Sequence, residues 1–310
     1  MPADLRRTVV PSEGERGLAS WEPADLASLL LPAWEDFLEI AGTVSMSAPT
    51  RVADWTAHDL CAHLGSWPDA RSLARMVTEA RKGDVREGGD FDQDAHNAAV
   101  IEAHDASSRA DVLAALASAR DETAAYLASG EADELATRPV RTVLGPLPLS
   151  TMVCAAAYEL AVHALDLEPA GAPAPSQRLL AAGLASLVDV TGALAARCGI
   201  ATTAGCVSPE GGWAFASSGA DWLTMDLPET PTGWAVVDAR AALLLDASAG
   251  RRGVPGLLAR REMRLHHVTG LLALAPIVEQ VPGLPGGTAL GGAARHLRGA
   301  GRLLRKIPRF

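Results

Sequence analysis

Aromatic side chains are scarce in this chain: four Phe, two Tyr and seven Trp are only 4% of 310 residues. Its core must be filled by Ala and Leu, which have high helix propensity, so the composition favours helix. Lysine is scarcer still. Of 27 Lys and Arg residues only Lys82 and Lys306 are lysine, and with the heavy use of Ala, Gly and Pro this resembles a translated high-GC bacterial genome. The net charge is −10, and no basic face precedes the C-terminal end, which argues against nucleic acid as a partner. The four cysteines, Cys61, Cys154, Cys198 and Cys206, form no CxxC and fit no zinc motif. They suit reduced thiols packed in a cytoplasmic protein. The N-terminus has no apolar h-region, so no signal peptide is expected. No apolar run reaches about 18 residues without charge, Gly or Pro, so no transmembrane segment is expected either.

What remains is a globular composition, 48% apolar and 21% charged, long enough for two domains. Residues 1–20 mix charge with Pro, Gly and Ser and read as a flexible leader. Apolar periodicity predicts helices over 24–41, 56–81, 92–106, 111–129 and 149–168. Pro32 is expected to kink or restart the first of them, and Thr56 to cap the second. Residues 83–91 and 130–148 read as connections. A Pro- and Gly-rich run at 169–175 precedes a helix at 176–198, and then the texture changes. Trp213–Ala216, Trp222–Leu227, Trp234–Asp238 and Arg264–Val268 read as short strands, and 239–248 and 271–281 as helices. The expected fold is mainly α: a four-helix bundle over 21–170, a linker helix and smaller α+β domain over 171–290, and a basic tail over 291–310.

The chemistry concentrates on two predicted helices. On 149–168, Met152, Ala156, Leu160 and Leu167 form an apolar stripe, and Glu159 and His163 fall inside it, four apart and hence neighbours. On 56–81, Leu60, Leu64 and Trp67 define the inward face, with His63 at its edge and His58 pointing away. A carboxylate on an apolar face is costly unless paired or bound to metal. Glu159 and His163 from one helix with His63 from another make the His₂Glu set used by catalytic zinc, which leaves a position open. Asp166, three residues after His163, lies where it would orient that ring. The same spacing also suits a plain Glu–His hydrogen bond with His63 as a core residue.

Two strings resemble a known family. Trp55-Thr-Ala-His-Asp-Leu-Cys-Ala-His63-Leu is similar to the W-[ST]-x-x-[DE]-[LV]-x-x-H-[LV] segment of the mycothiol-dependent maleylpyruvate isomerases, in the DinB-like bundle superfamily. Tyr158-Glu159-Leu-Ala-Val-His163-Ala-Leu-Asp166-Leu resembles their E-[LV]-x-[VI]-H-x-x-D helix. The resemblance implies a DinB-like bundle with a divalent metal, zinc by type, on His63, Glu159 and His163. It also implies mycothiol as cofactor or co-substrate, activated as the metal-bound thiolate, and a small electrophile as substrate. Thiol addition followed by elimination gives an isomerase; retention of the sulfur bond gives an S-transferase. Residues 205–284 resemble the sterol-carrier-like domains that accompany such bundles, through a Gly-Arg step at the end of a Leu-rich helix, here Leu243-Leu-Leu-Asp-Ala-Ser-Ala-Gly250-Arg251. By that resemblance Arg251 is the candidate for substrate or thiol binding, with Arg252 beside it. The bland alternative is a helix-end arginine complementing the dipole.

A different class, a non-catalytic binder of small molecules or lipid through the second half, would need no metal. A third, an interaction protein, would act through the tail. That tail carries Arg295, Arg298, Arg302, Arg305, Lys306 and Arg309 without an acid. It is expected to dock as a helix on an acidic surface of this chain or of a second copy in a homo-oligomer. A solvated segment or an anionic membrane are its other readings.

Overall fold

The computed structural model describes residues 9–280 apart from 84 and 86–91. The fold is mainly α, helical in its N-terminal part and sheet-containing in its C-terminal part. The expected basic tail, 291–310, lies outside the described residues.

The helical part comprises α1 (Pro23–Thr43), α2 (Ala57–Leu64), α3 (Ser72–Lys82), α4 (Gln93–His104), α5 (Arg109–Leu127), α6 (Glu131–Glu134) and α7 (Leu149–Asp166). A short antiparallel ladder of β1 (Pro139–Val140) and β2 (Leu147–Pro148) precedes α7. Helices α1, α2, α5 and α7 pack on one another as the bundle. Its core includes Leu26, Leu30, Phe37, Leu60, Leu116 and Leu160, each no more than 1% exposed. Pro32 lies inside α1 without ending it. Thr56 and Asp59 close a capping box at the start of α2, and Ser108 and Asp111 do the same for α5.

The long helix expected over 56–81 is two helices. Gly65 leaves α2 in extended conformation, and Pro68 biases Trp67 away from helix. Their lost helical bonds are replaced: Ser66 N–H donates to the Ala115 carbonyl at 2.9 Å, and Trp67 Nε1 to Ala62 at 2.9 Å.

The second part contains α8 (Gln177–Arg197), β3 (Ala201–Ser208), β4 (Gly211–Ser218), β5 (Trp222–Asp226), β6 (Ala235–Ala239), α9 (Ala241–Ser248), α10 (Val254–Ala259), β7 (Met263–His266), α11 (Val268–Leu272) and α12 (Ala275–Gln280). The strands form one sheet in the order β5-β4-β3-β6-β7, with only β3 and β6 parallel. Helix α8 is the shared wall between the halves, packed on α7 and on β3, β4 and β5. Two glycines make this double contact close. They stand nine residues apart, half a turn out of phase at about 100° per residue. A Cβ on Gly183 would sit 2.6 Å from Ala161 Cβ of α7, and one on Gly192 would sit 2.7 Å from Trp222 Cδ1 of β5. By length and hydropathy alone α8 could cross a membrane, but its apolar run is interrupted by Gly183, Asp189 and Gly192, and 78% of that stretch is buried inside the protein, as in a core helix.

The flexible leader expected over 1–20 does not hold for its last residues. Gly17–Ser20 form a 3₁₀ turn in which Leu18 is fully buried. Gly17 has φ +56, and a Cβ there would lie 2.1 Å from both Asp189 Oδ1 and Trp222 Nε1. Leu18 N–H donates to Asp189 Oδ1 at 2.8 Å. The glycine that suggests a loose end in sequence serves here to let the backbone approach a buried carboxylate.

Candidate metal centre

Glu159 and His163 stand one turn apart on α7, and His63 arrives from the last turn of α2. One donor atom from each lies within 4.8 Å of the others. Glu159 Oε2 is 3.4 Å from His163 Nε2. A tetrahedral zinc with arms of about 2.0–2.1 Å needs ligand separations of about 3.4 Å, so that pair already has the required spacing. His163 is buried, whereas Glu159 keeps 49% of its side chain accessible at the mouth of the cluster. Trp55, the first residue of the α2 motif, walls the donors, its ring centroid 5.4 Å from that of His63 and 6.3 Å from that of His163.

Each imidazole has a hydrogen-bonding neighbour outside the set of three. His163 Nδ1 lies 3.0 Å from Asp166 Oδ2, so Nδ1–H donates there and Nε2 is the nitrogen that faces the cluster. His63 is hydrogen-bonded by Asn97 of α4. Burial, together with the neighbouring His163, pushes His63 down to about 4, so its ring is neutral near pH 7. Burial also pushes His163 down, but the carboxylates of Asp166 and Glu159 outweigh it and raise this ring to about 9. Glu159 and Asp166 are held below the usual carboxylate range: burial raises both, but hydrogen bonds from His163, and from Arg251 to Asp166, prevail. Metal entry at His163 therefore displaces a proton.

Residues 15–168 match the family described as mycothiol maleylpyruvate isomerase N-terminal domain. The N-terminal half of the chain belongs to this family. Among solved structures, a mycothiol-dependent maleylpyruvate isomerase is similar at 17% identity, over 77% of this chain and 93% of its own, with a TM-score of 0.46. A histidine-to-alanine mutant, also described as a mycothiol-dependent maleylpyruvate isomerase, is similar at 16% identity over 82% and 96%, with a TM-score of 0.47. No curated protein matches.

The part of the chain after residue 168 comes up behind the donors through Arg251. Its Nε and Nη2 donate to Asp166 Oδ1 and Oδ2 at 3.0 and 2.9 Å, a bidentate pair on a carboxylate that is fully buried. Asp166 thus joins His163 to Arg251. The opposite edge of the guanidinium, Nη1 with the second Nη2 proton, has no hydrogen bond among the described residues. Arg252 is not brought to the cluster: its Nε lies 3.6 Å from Asp246 Oδ2. Tyr158 rests against the same loop, its hydroxyl 3.2 Å from Ser248 Oγ, and burial pushes its pKa up to about 12. His58, which the helical wheel turned away from the site, bonds the Ser107 carbonyl instead.

Sequence reasoning missed Arg51, Asn97 and Asp246, and it quoted Trp55 in the family string without giving it a role. Asp246 carried a usable signal, a carboxylate inside the Leu-rich α9, of the kind that marked Glu159. All four cysteines are free, and Cys61, Cys154 and Cys206 are buried with raised pKa, which fits packing residues.

Proposed function

We propose that this chain is a thiol-dependent isomerase whose bundle, through residue 170, holds one divalent metal, zinc by its donor set, on His63, Glu159 and His163. The low-molecular-weight thiol in this reading is mycothiol, and the substrate is a small electrophile; transfer of the thiol to that electrophile is the variant the same site would also allow. The observation that carries the reading is the convergence of His63, from a separate helix, on the Glu159–His163 pair. Membership of the N-terminal half in a family described by mycothiol and maleylpyruvate isomerisation supports it.

The residues present fit the metal. Two imidazoles and a carboxylate are a catalytic zinc set with room for one exogenous ligand, and with Nδ1–H held by Asp166, loss of the Nε2 proton of His163 would turn that nitrogen into a ligand. A bound metal would supply Lewis acidity that holds a thiol as thiolate at neutral pH. Neutral His63 offers a lone pair without first losing a proton. Trp55 keeps water from one side of the donors. The part after residue 170 lends Arg251, whose free edge would pair with a carboxylate of substrate or thiol. Four free cysteines and a thiol cofactor agree with a reducing cytoplasm.

Native mass spectrometry of the full chain, loaded with zinc and offered mycothiol, tests this. We expect one zinc per chain and a thiol adduct that requires the zinc. A zinc-loaded protein that isomerised its substrate at full rate without thiol would refute the thiol mechanism and favour activated water.

A further inference from the structure

Behind the donor cluster, one residue of the bundle holds both ends of the link to the second half. Arg51 lies in the loop between α1 and α2. Its backbone N–H donates to the Asp166 carbonyl at 2.9 Å. Its Nη1 donates to Asp246 Oδ1 at 2.8 Å, and its Nη2 pairs with Glu168. Asp246, 3% exposed near the end of α9, in turn shapes the loop that carries Arg251. Its carbonyl accepts from Arg251 N–H at 2.8 Å and from Arg252 N–H at 3.2 Å. Gly250 stands at φ +72 with its N–H on the Ala247 carbonyl at 3.2 Å. These bonds are a Schellman closure, with the left-handed glycine at C′ and Arg251 at C″.

We propose that Arg51 is a positioning residue: by pairing with Asp246 it fixes the helix cap that presents Arg251 to Asp166, and through Asp166 it sets the ring of His163. The inference rests on the metal reading above. Arg51 reaches both parts of one device, because its main chain holds the carbonyl of Asp166 and its side chain holds the loop delivering Arg251 to the carboxylate of that same residue. A buried carboxylate in a Leu-rich helix is costly without a cation, and Asp246 has two, Arg51 at 2.8 Å and Arg252 at 3.6 Å. Lysine would not serve equally, since one planar fork bridges Asp246 and Glu168 together. A tie that merely joined the two halves would not need to end on the carboxylate behind His163.

The test is the zinc affinity of the full-length chain, by competition with a chromophoric chelator, for wild type, Arg51→Ala, Arg251→Ala and the double variant, with urea unfolding of each. We expect each single change to weaken zinc by about fivefold, less than the tenfold or more expected when a direct partner of a ligand is removed. The double variant should bind no more weakly than the weaker single, because both changes break one chain of contacts. Zinc affinity of Arg51→Ala within about twofold of wild type, or effects that multiply to about 25-fold in the double variant, would overturn the proposal. If Arg51→Ala does not fold, Asp246→Asn removes the same charge pair at constant shape. It should show the same fivefold loss, and wild-type affinity there would overturn the proposal equally. A wild-type chain that binds no zinc would remove the metal reading and this role with it; a wild type that binds and an Arg51→Ala that binds as well remove this role alone.

Discussion

Asp189 of α8 offers the sharpest test of how the scaffold behind the site is held. It is fully buried and pairs with no cation among the described residues. Its Oδ1 accepts from Leu18 N–H at 2.8 Å, Trp222 Nε1 at 3.0 Å and Thr224 Oγ1 at 2.7 Å, and its Oδ2 accepts from Thr151 Oγ1 at 2.9 Å. One carboxylate thereby joins the Gly17–Ser20 turn, α7, α8 and β5, and Thr151 lies in the first turn of the helix that later carries Glu159 and His163. Asp189→Ala strands four donors. The two hydroxyls can turn elsewhere, but the two N–H groups cannot, and at about 1–3 kcal/mol for each orphan the expected loss is about 2–6 kcal/mol. Asp189→Asn is different. With its oxygen at the Oδ1 place it still accepts the three bonds there, and its amide nitrogen donates to Thr151 Oγ1. Burial raises the pKa of Asp189 above its ordinary value despite four hydrogen bonds that lower it, so the charged form is the disfavoured one. We therefore expect Asp189→Asn to be at least as stable as wild type at pH 7.

The sign in pH follows. A carboxyl whose folded pKa exceeds its unfolded value contributes stability that is complete below about pH 4 and is lost as pH rises through the folded pKa. The asparagine does not titrate. The difference between the two proteins should grow in its favour from about pH 4 upward and then level off. Urea unfolding at several pH values, with m-values compared, measures this. A loss above about 2 kcal/mol in Asp189→Asn at pH 7 would mean the charge itself stabilises the fold, and an Asp189→Ala loss below about 0.5 kcal/mol would mean the four bonds carry little; either result refutes the reasoning.

His163→Ala should lose most bound zinc by elemental analysis, because three protein ligands fall to two; full occupancy in that variant would end the assignment. Gly17→Ala should destabilise by about 3 kcal/mol or more in urea, since a left-handed backbone and a 2.1 Å approach to Asp189 both oppose a Cβ; a loss below about 1 kcal/mol would show that the turn can shift. Deleting 291–310 should leave zinc content unchanged, and loss of metal on deletion would place that basic segment in the active site.

Periodicity made the helices legible because each lays a stripe of apolar residues on a common core, as Leu26, Leu30, Trp34 and Phe37 do in α1. It failed where a tertiary bond replaced a helical one, at Ser66 and Trp67. Strand β3 escaped notice for a related reason. Its sequence, Ala-Thr-Thr-Ala-Gly-Cys-Val-Ser, has few large apolar residues and no strict alternation. It is a strand because it lies between β4 and β6 and bonds to both, and partners distant in sequence leave no local mark.

The candidate ligands were legible for a physical reason that reaches beyond motif matching. A carboxylate set in an apolar stripe four residues from an imidazole suggests a pair, and the sequence spacing already brought these two together, although in the folded chain Glu159 keeps 49% of its side chain accessible. What supports them was not legible, because the contacts cross long stretches of chain: Arg251 to Asp166 spans 85 residues and Arg51 to Asp246 spans 195. The Gly250-Arg251 step shows the boundary well. As a string it is a glycine and a cation after a Leu-rich helix, which suits any surface helix end. In the folded chain the glycine takes the left-handed turn, the turn puts the arginine N–H on the Asp246 carbonyl, and that fixes where the guanidinium starts. Only then does its bidentate reach to Asp166 follow. The motif encodes the closure of the helix, and the partner across the interface decides what the closure is for.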